Sequence, residues 1–213
     1  MCDVGWVNDG RWWSVQRVAC LLCGMLVDWH PFHTLCKISV LCYWLSLINW
    51  QVEAMAKAIQ YWLMKSEPTT YSIEDLSKEK NKTTHWDGVR NYQARNIMRD
   101  RMKKGDKALF YHSNAKPPGV VGVCRIVKES YPDFTAFDPK DKHYDPKSQQ
   151  SDPRWFMVDI KLEKCLNRIV SLNEIKQVAS LADMVLLNNS RLSVQPVTRA
   201  EFETILKLST KKL

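Results

Sequence analysis

From Phe156 to Leu162 every second residue is apolar: Phe156, Val158, Ile160 and Leu162. A period of two sends successive side chains to opposite faces of an extended chain, so Arg154–Leu166 reads as a strand with its even-numbered face on a core. Gly119–Lys128 (GVVGVCRIVK) is apolar at nearly every position and requires burial on both faces. A strand covered on both sides suits a small barrel with a helix packed over it. Trp155 falls on the odd face beside Arg154, at the strand's first residues, where an indole is a candidate for stacking on a flat ligand.

The neighbouring segments supply the rest of an α+β domain. Ile59–Lys65 is a short aromatic strand bounded by Ser66-Glu67-Pro68, and Gly105-Asp106 introduces a strand over Lys107–Ser113. Ser72-x-x-Asp75, Ser171-x-x-Glu174 and Thr198-x-x-Glu201 are capping boxes that open helices. Met184–Pro196 reads as irregular, with Asn188–Arg191 polar enough for either a turn or a ligand contact. Tyr131–Pro153 is rich in Pro and Asp yet carries Tyr131, Phe134, Phe137 and Tyr144. Disordered linkers lack aromatics, so an ordered functional loop is expected. Its acids, Asp133, Asp138, Asp141 and Asp145, do not follow a calcium-loop spacing, and no metal is expected there.

Thr84–Arg95 (THWDGVRNYQAR) has neither strand nor helix periodicity. Asp87-Gly88 is a turn signal, and Asn91 is placed as the N-cap of a helix running through Tyr92–Lys103. Ala94, Ile97, Met98 and Met102 fall on one face of that helix and Tyr92, Arg95 and Arg99 on another. Trp86, Arg90, Tyr92 and Arg95 combine flat rings with cations, the chemistry that holds a nucleobase and its phosphate. A surface turn with one buried Trp fits the same residues.

Charge separates the chain into two parts. Up to Ala58 four basic residues balance four acidic ones, so the whole net charge of +8 lies in residues 59–213. That excess favours an anionic partner, nucleic acid first. The first fifty residues hold six of the nine Trp and five of the seven Cys. Residues 1–58 are therefore read as an atypical N-terminal extension, poorly ordered or a non-native leader ahead of Met55. Arg11 and Arg17 before Val18–Val27 are signal-like but lack a small-residue cleavage site, and Ile38–Trp50 is too short to span a bilayer. Cys20, Cys23, His30, His33 and Cys36 can be drawn as a zinc site, but only one pair has metal spacing. Cys124 and Cys165, the cysteines of the main domain, each sit in an apolar strand, which fits a reducing compartment.

No phosphate-binding loop, Gly-x-Ser-x-Gly or His-Glu-x-x-His occurs, and His85, His112 and His143 are widely spaced. A hydroxyl nucleophile at Ser66 or Ser113 would need His112 as its base. The expectation is a binding module without catalytic residues, cofactor or metal.

WLMKSEP (62–68), WDGVRNYQARN (86–96), MKKGDKALFYHSN (102–114), PGVVG (118–122), YPDFTAFDP (131–139), YDPKS (144–148) and PRWFMVDI (153–160) together resemble the EVE domain of the thymocyte nuclear protein family. The resemblance covers about Ile59–Leu208 and departs at TAFDP, where TQFDP is the expected form. It implies a PUA-like fold: a small bent β-barrel with flanking short helices, over residues 59–213. It also implies a reader of a modified base, modified cytosine foremost, in DNA or RNA. Family pocket positions fall on Ser66, Trp86, Val89, Arg90, Tyr92, Tyr111, His112, Ser113, Tyr144, Arg154 and Trp155. Trp86 and Trp155 are expected to converge on one cleft that receives an extruded base, with Arg90, Arg95 and Lys147 on phosphates. The alternatives are an enzyme acting on a modified base through His112 and Ser113, and a regulatory module that senses a metabolite or binds structured RNA. A monomer with no membrane partner is expected, cytoplasmic in a bacterium and nuclear in a eukaryote, with the cytoplasm favoured.

Overall fold

The computed structural model describes residues 59–211 and, as backbone alone, ten residues in four short strands near the N-terminus. Those strands are β1 (Val4–Trp6) with β2 (Trp12–Ser14), and β3 (Val18–Ala19) with β4 (Leu26–Val27), each pair antiparallel. Contacts divide the chain into two units, Met1–Ala58 and Ile59–Leu213. The Cys20/Cys23/His30/His33/Cys36 cluster and the run Ile38–Trp50 lie outside the described residues.

The second unit is built on one mixed sheet. Its strands are β5 (Tyr61–Ser66), β6 (Thr83–Trp86), β7 (Lys107–His112), β8 (Gly119–Pro132), β9 (Phe156–Ser171) and β10 (Val194–Val197). They lie in the order β10-β5-β7-β8-β9-β6. Only β5 and β7 are parallel; every other pairing is antiparallel. The expected α+β class, a small bent sheet with flanking short helices, holds; among the described residues the sheet is not closed, with β10 and β6 as its two edges. Pairing of β8 with β9 shifts register at four places between Val120 and Tyr131. Each such irregularity bends the strand and raises its twist.

Both faces of the sheet are covered. Along β5, Trp62 and Met64 enter one core and Leu63 the other; along β7, Phe110 enters the first while Leu109 and Tyr111 enter the second. On β8, Val121, Cys124 and Ile126 face the first core and Val120 and Val123 the second. That is the two-sided burial the apolar run requires. Val158, Ile160 and Leu162 on the even face of β9 are buried as the alternation demands and Phe156 is half-buried, but Met157 on the odd face is equally inaccessible. The register shifts on either side of Lys128, in the partner strand, disturb the facing of residues there.

Helix α1 (Ile73–Lys78) covers the first core with Ile73 and Leu76, capped by the Ser72/Asp75 box. Gly122 lets it approach: a Cβ there would lie 2.0 Å from Ile73 Cδ1. Helix α2 (Tyr92–Asn96) starts at Asn91, whose side chain accepts from Ala94 N, and runs into a π-turn over Ile97–Arg101. Ala94, Ile97, Met98 and Met102 are buried, the face their spacing marks. Helix α3 (Leu172–Gln177) and the long helix at Arg199–Thr210 carry the capping boxes at Ser171/Glu174 and Thr198/Glu201. Met184–Pro196 is more regular than its sequence suggests, holding a helical turn at Val185–Asn188 and the strand β10. Pro196 sits in that strand because β10 is an edge, where a missing amide hydrogen is tolerated.

The segment after β8 is held by its own aspartates. Asp133, Asp138, Asp141 and Asp145 accept from the backbone amides of Thr135, Lys140, His143 and Lys147, each two residues on. These side-chain-closed turns are the reason for the acidic spacing. Among the described residues, no group of three or more His, Cys, Asp or Glu could hold a metal ion. None of the described helices is long and apolar enough to cross a membrane.

Candidate nucleic-acid interface

The turn after β6 is pinned to the aspartate-rich segment by Asp133. Its carboxylate is wholly buried and accepts from Gly88 N (3.0 Å), Arg90 Nη1 (2.7 Å), Thr135 N (3.0 Å) and Thr135 Oγ1 (2.6 Å). Burial alone would raise its pKa; the bonds from Arg90 and Thr135 outweigh that and hold it below the usual carboxylate range. Gly88 has φ +70°, and a Cβ there would lie 2.5 Å from the His143 ring. The bare backbone is what lets that imidazole close over the turn.

Arg90 also donates from Nε (2.8 Å) and Nη2 to the carbonyl of His143, and from Nη2 to Thr135 Oγ1 (3.2 Å). Expected at a phosphate, it is instead committed to the protein. Its Cζ lies 5.4 Å from the Trp155 ring centre. Trp155 stacks on Tyr92 at 4.9 Å and 28°, and Arg95 Cζ lies 4.9 Å from the Tyr92 ring centre. Four side chains from two distant segments thus join in a run of cation–π and ring contacts. Trp155 Nε1 donates to Asp145 Oδ2 (2.7 Å), a bond that lowers the Asp145 pKa. Arg95 Nη1 donates to the carbonyl of Arg154 (2.9 Å), and Arg154 N to Ser148 Oγ (3.1 Å). Lys147 is the residue whose amide Asp145 caps, and Tyr144 is 41% exposed just before it. Arg90, Tyr92, Arg95, Tyr144, Lys147, Arg154 and Trp155 are therefore tied to one region. Trp155 is covered, at 6% exposure, and Tyr92 is open, at 54%.

A second group forms where the parallel strands β5 and β7 end in register, Ser66 beside His112. Ser113 donates to the Ser66 carbonyl from N (2.8 Å) and Oγ (3.2 Å), and Ser66 Oγ donates to the Tyr71 carbonyl (2.7 Å). His112 Nε2 accepts from Ile73 N (3.2 Å), and burial lowers its pKa, which favours the neutral ring that can accept. Neither serine hydroxyl donates to His112; both donate to backbone carbonyls.

Three predicted positions sit elsewhere. Tyr111 packs in the second core, on the sheet face opposite His112. Val89 and Trp86 are each 7% exposed and belong to the first core, Trp86 standing edge-on to Phe110 with centroids 5.4 Å apart. Phe110 in turn meets His112 at 5.6 Å, so Trp86 reaches the serine–histidine group through an aromatic line. Among the described residues no ring contact joins Trp86 to Trp155. Sequence reading did not single out Asp133, Thr135 or His143 as site residues. Asp-x-Thr at 133–135 is the usable signal, since such a pair closes its own turn; His143 had none.

A family described as EVE domain matches residues 60–208. Thymocyte nuclear protein 1 of Gallus gallus is 48% identical over 169 residues, covering 71% of this chain and 69% of that protein. The crystal structure of human THYN1 protein in complex with 5-methylcytosine containing DNA is 45% identical, with TM-score 0.69, covering 72% of this chain and 99% of that one. A hypothetical protein from Leishmania major is 48% identical, with TM-score 0.68, covering 71% and 95%.

Proposed function

Because this chain belongs to the EVE domain family, we propose that it binds nucleic acid carrying a modified base, with methylated cytosine in DNA as its ligand. The observation that carries this reading is the human relative, similar over nearly its whole length and solved with DNA containing 5-methylcytosine. The run Arg90–Trp155–Tyr92–Arg95 supports it from this chain's own residues. An extruded base loses its stacking in the duplex and recovers about 1–3 kcal/mol on an aromatic ring. Tyr92 is the accessible ring, and Trp155 beneath it is set by Asp145 and Arg90. The hydroxyls of Ser66 and Ser113 supply hydrogen bonds to a base edge. Arg95, Lys147 and Arg154 hold phosphates, while Arg90 positions Trp155. The name of the vertebrate relatives supports the nuclear alternative for a eukaryotic chain and lends none to the cytoplasmic preference.

The test compares affinity for a single-stranded oligonucleotide with one 5-methylcytosine against the same strand with cytosine, for the wild type and Trp155→Ala. Tighter binding of the methylated strand by the wild type, reduced in Trp155→Ala at a temperature where the variant is still folded, is expected. Equal affinity for the two strands would overturn the reading.

A further inference from the structure

A cleft of about 530 Å³ opens on the opposite flank of α2 and its π-turn from Tyr92 and Arg95. That volume lies within the roughly 300–1,000 Å³ typical of small-ligand sites. Its apolar lining is Ile97, Val185, Leu192 and Pro196. Gln93, Asn96, Asp100 and Arg101 supply its polar groups.

The polar groups are not evenly committed. Asn96 Oδ1 already accepts from Arg95 Nε and Nη2, and both Asp100 oxygens accept from Arg99. The donors are open. Arg101 lies over the Trp62 ring at 5.3 Å, and among the described residues nothing accepts a hydrogen bond from its guanidinium. The Asn96 amide nitrogen and the Gln93 side chain likewise have no partner there; Gln93 adds the one uncommitted acceptor. The cleft thus combines apolar side chains with uncommitted donors, the complement of a base that carries acceptors and a phosphate. A π-turn within a helix is itself a frequent mark of a functional site.

Continuity decides which such ligand. Arg95 touches Tyr92 with its guanidinium face and Asn96 with its edge, so one side chain borders both surfaces. They are separated by no more than the body of one helix, about 10 Å. We infer that this cleft is a second subsite, which takes the nucleotide next to the modified base in the same strand, with its base on Val185 and Pro196 and its phosphate on Arg101. This rests on the reading proposed above. Asp100, which also lines the cleft, is paired with Arg99, and that pairing offsets its repulsion of a phosphate.

The experiment uses the full chain and two probes, 5-methyldeoxycytidine monophosphate and a single-stranded hexanucleotide with one central 5-methylcytosine. Arg101→Gln should weaken the hexanucleotide about tenfold and lower the salt slope by about one phosphate, leaving the mononucleotide unaffected. Gln93→Ala, at an exposed position that does not threaten folding, should weaken the hexanucleotide alone, by a smaller factor. Methyl resonances of Val185 and Leu192 should shift with the hexanucleotide and stay still with the mononucleotide. Methylation-dependent binding that neither substitution changes, with those methyls unmoved, would overturn the cleft and leave the reading intact. Equal binding of methylated and unmethylated hexanucleotides would overturn the reading, and the subsite with it.

Discussion

Arg90 Nη1 lies 2.7 Å from Asp133 Oδ2, an ion pair that ties together segments 43 residues apart. The carboxylate is fully buried and the guanidinium side chain 23% exposed. Arg90 also lies 5.4 Å from the Trp155 ring centre, so this pair places one of the groups packed on that indole, beside Tyr92 and Asp145.

Asp133→Asn removes the charge that compensates Arg90 and one acceptor of the Gly88 amide. Breaking a buried ion pair from one side costs about 3–5 kcal/mol, and partial exposure of Arg90 puts this case near the lower end. Urea unfolding should show a loss of about 3 kcal/mol. A loss under about 1 kcal/mol would mean that the pair is not what holds the turn.

Gly88→Ala combines a strained positive φ with a collision on the His143 ring. The expected loss is about 1–3 kcal/mol. In a double-mutant cycle, His143→Ala should recover the steric part and leave the backbone part. Purely additive losses would rule out contact between the two positions.

Trp86 and Trp155 should separate in their effects. Trp86→Ala opens the core against Phe110 and should cost about 3–5 kcal/mol of stability. Trp155→Phe keeps a ring beneath Tyr92 but loses the bond to Asp145, so it should bind more weakly than wild type and better than Trp155→Ala. Chemical denaturation beside oligonucleotide titration checks both. A strand affinity that follows stability in all three variants would remove Trp155 from the interface.

Stability should fall in two acid steps. Burial depresses the His112 pKa, so the unfolded chain binds more protons than the folded one and stability rises with pH. The contribution is complete above about pH 6.5, the unfolded histidine value, and is lost as pH falls toward the lower folded value. Asp133 and Asp145, both depressed, add a second step that begins near the unfolded carboxylate value, about pH 4, and deepens below it. Melting temperature measured from pH 7.5 to 3 should show both declines, and His112→Gln should flatten the first. An unchanged first decline in that variant would assign it to another group.

Local chemistry was legible in the linear chain. The boxes at Ser72, Ser171 and Thr198, the Asn91 cap, the buried stripe Ala94–Met102 and the alternation of β9 each depend on residues within one or two turns of each other, so short-range spacing suffices to read them. The resemblance, carried by seven motifs, extended that reading to the family. Tertiary structure decided what spacing cannot express. Pairing across the sheet left β10 and β6 as open edges and made a strand of a segment containing Pro196. Packing sent Trp86 to the core and Tyr111 to the far face. It also committed Arg90 to a carboxylate 43 residues away, where its sequence neighbours suggested a phosphate. An arginine's partner is whichever acceptor the folded chain brings within reach, and that distance exists only once the strands have paired.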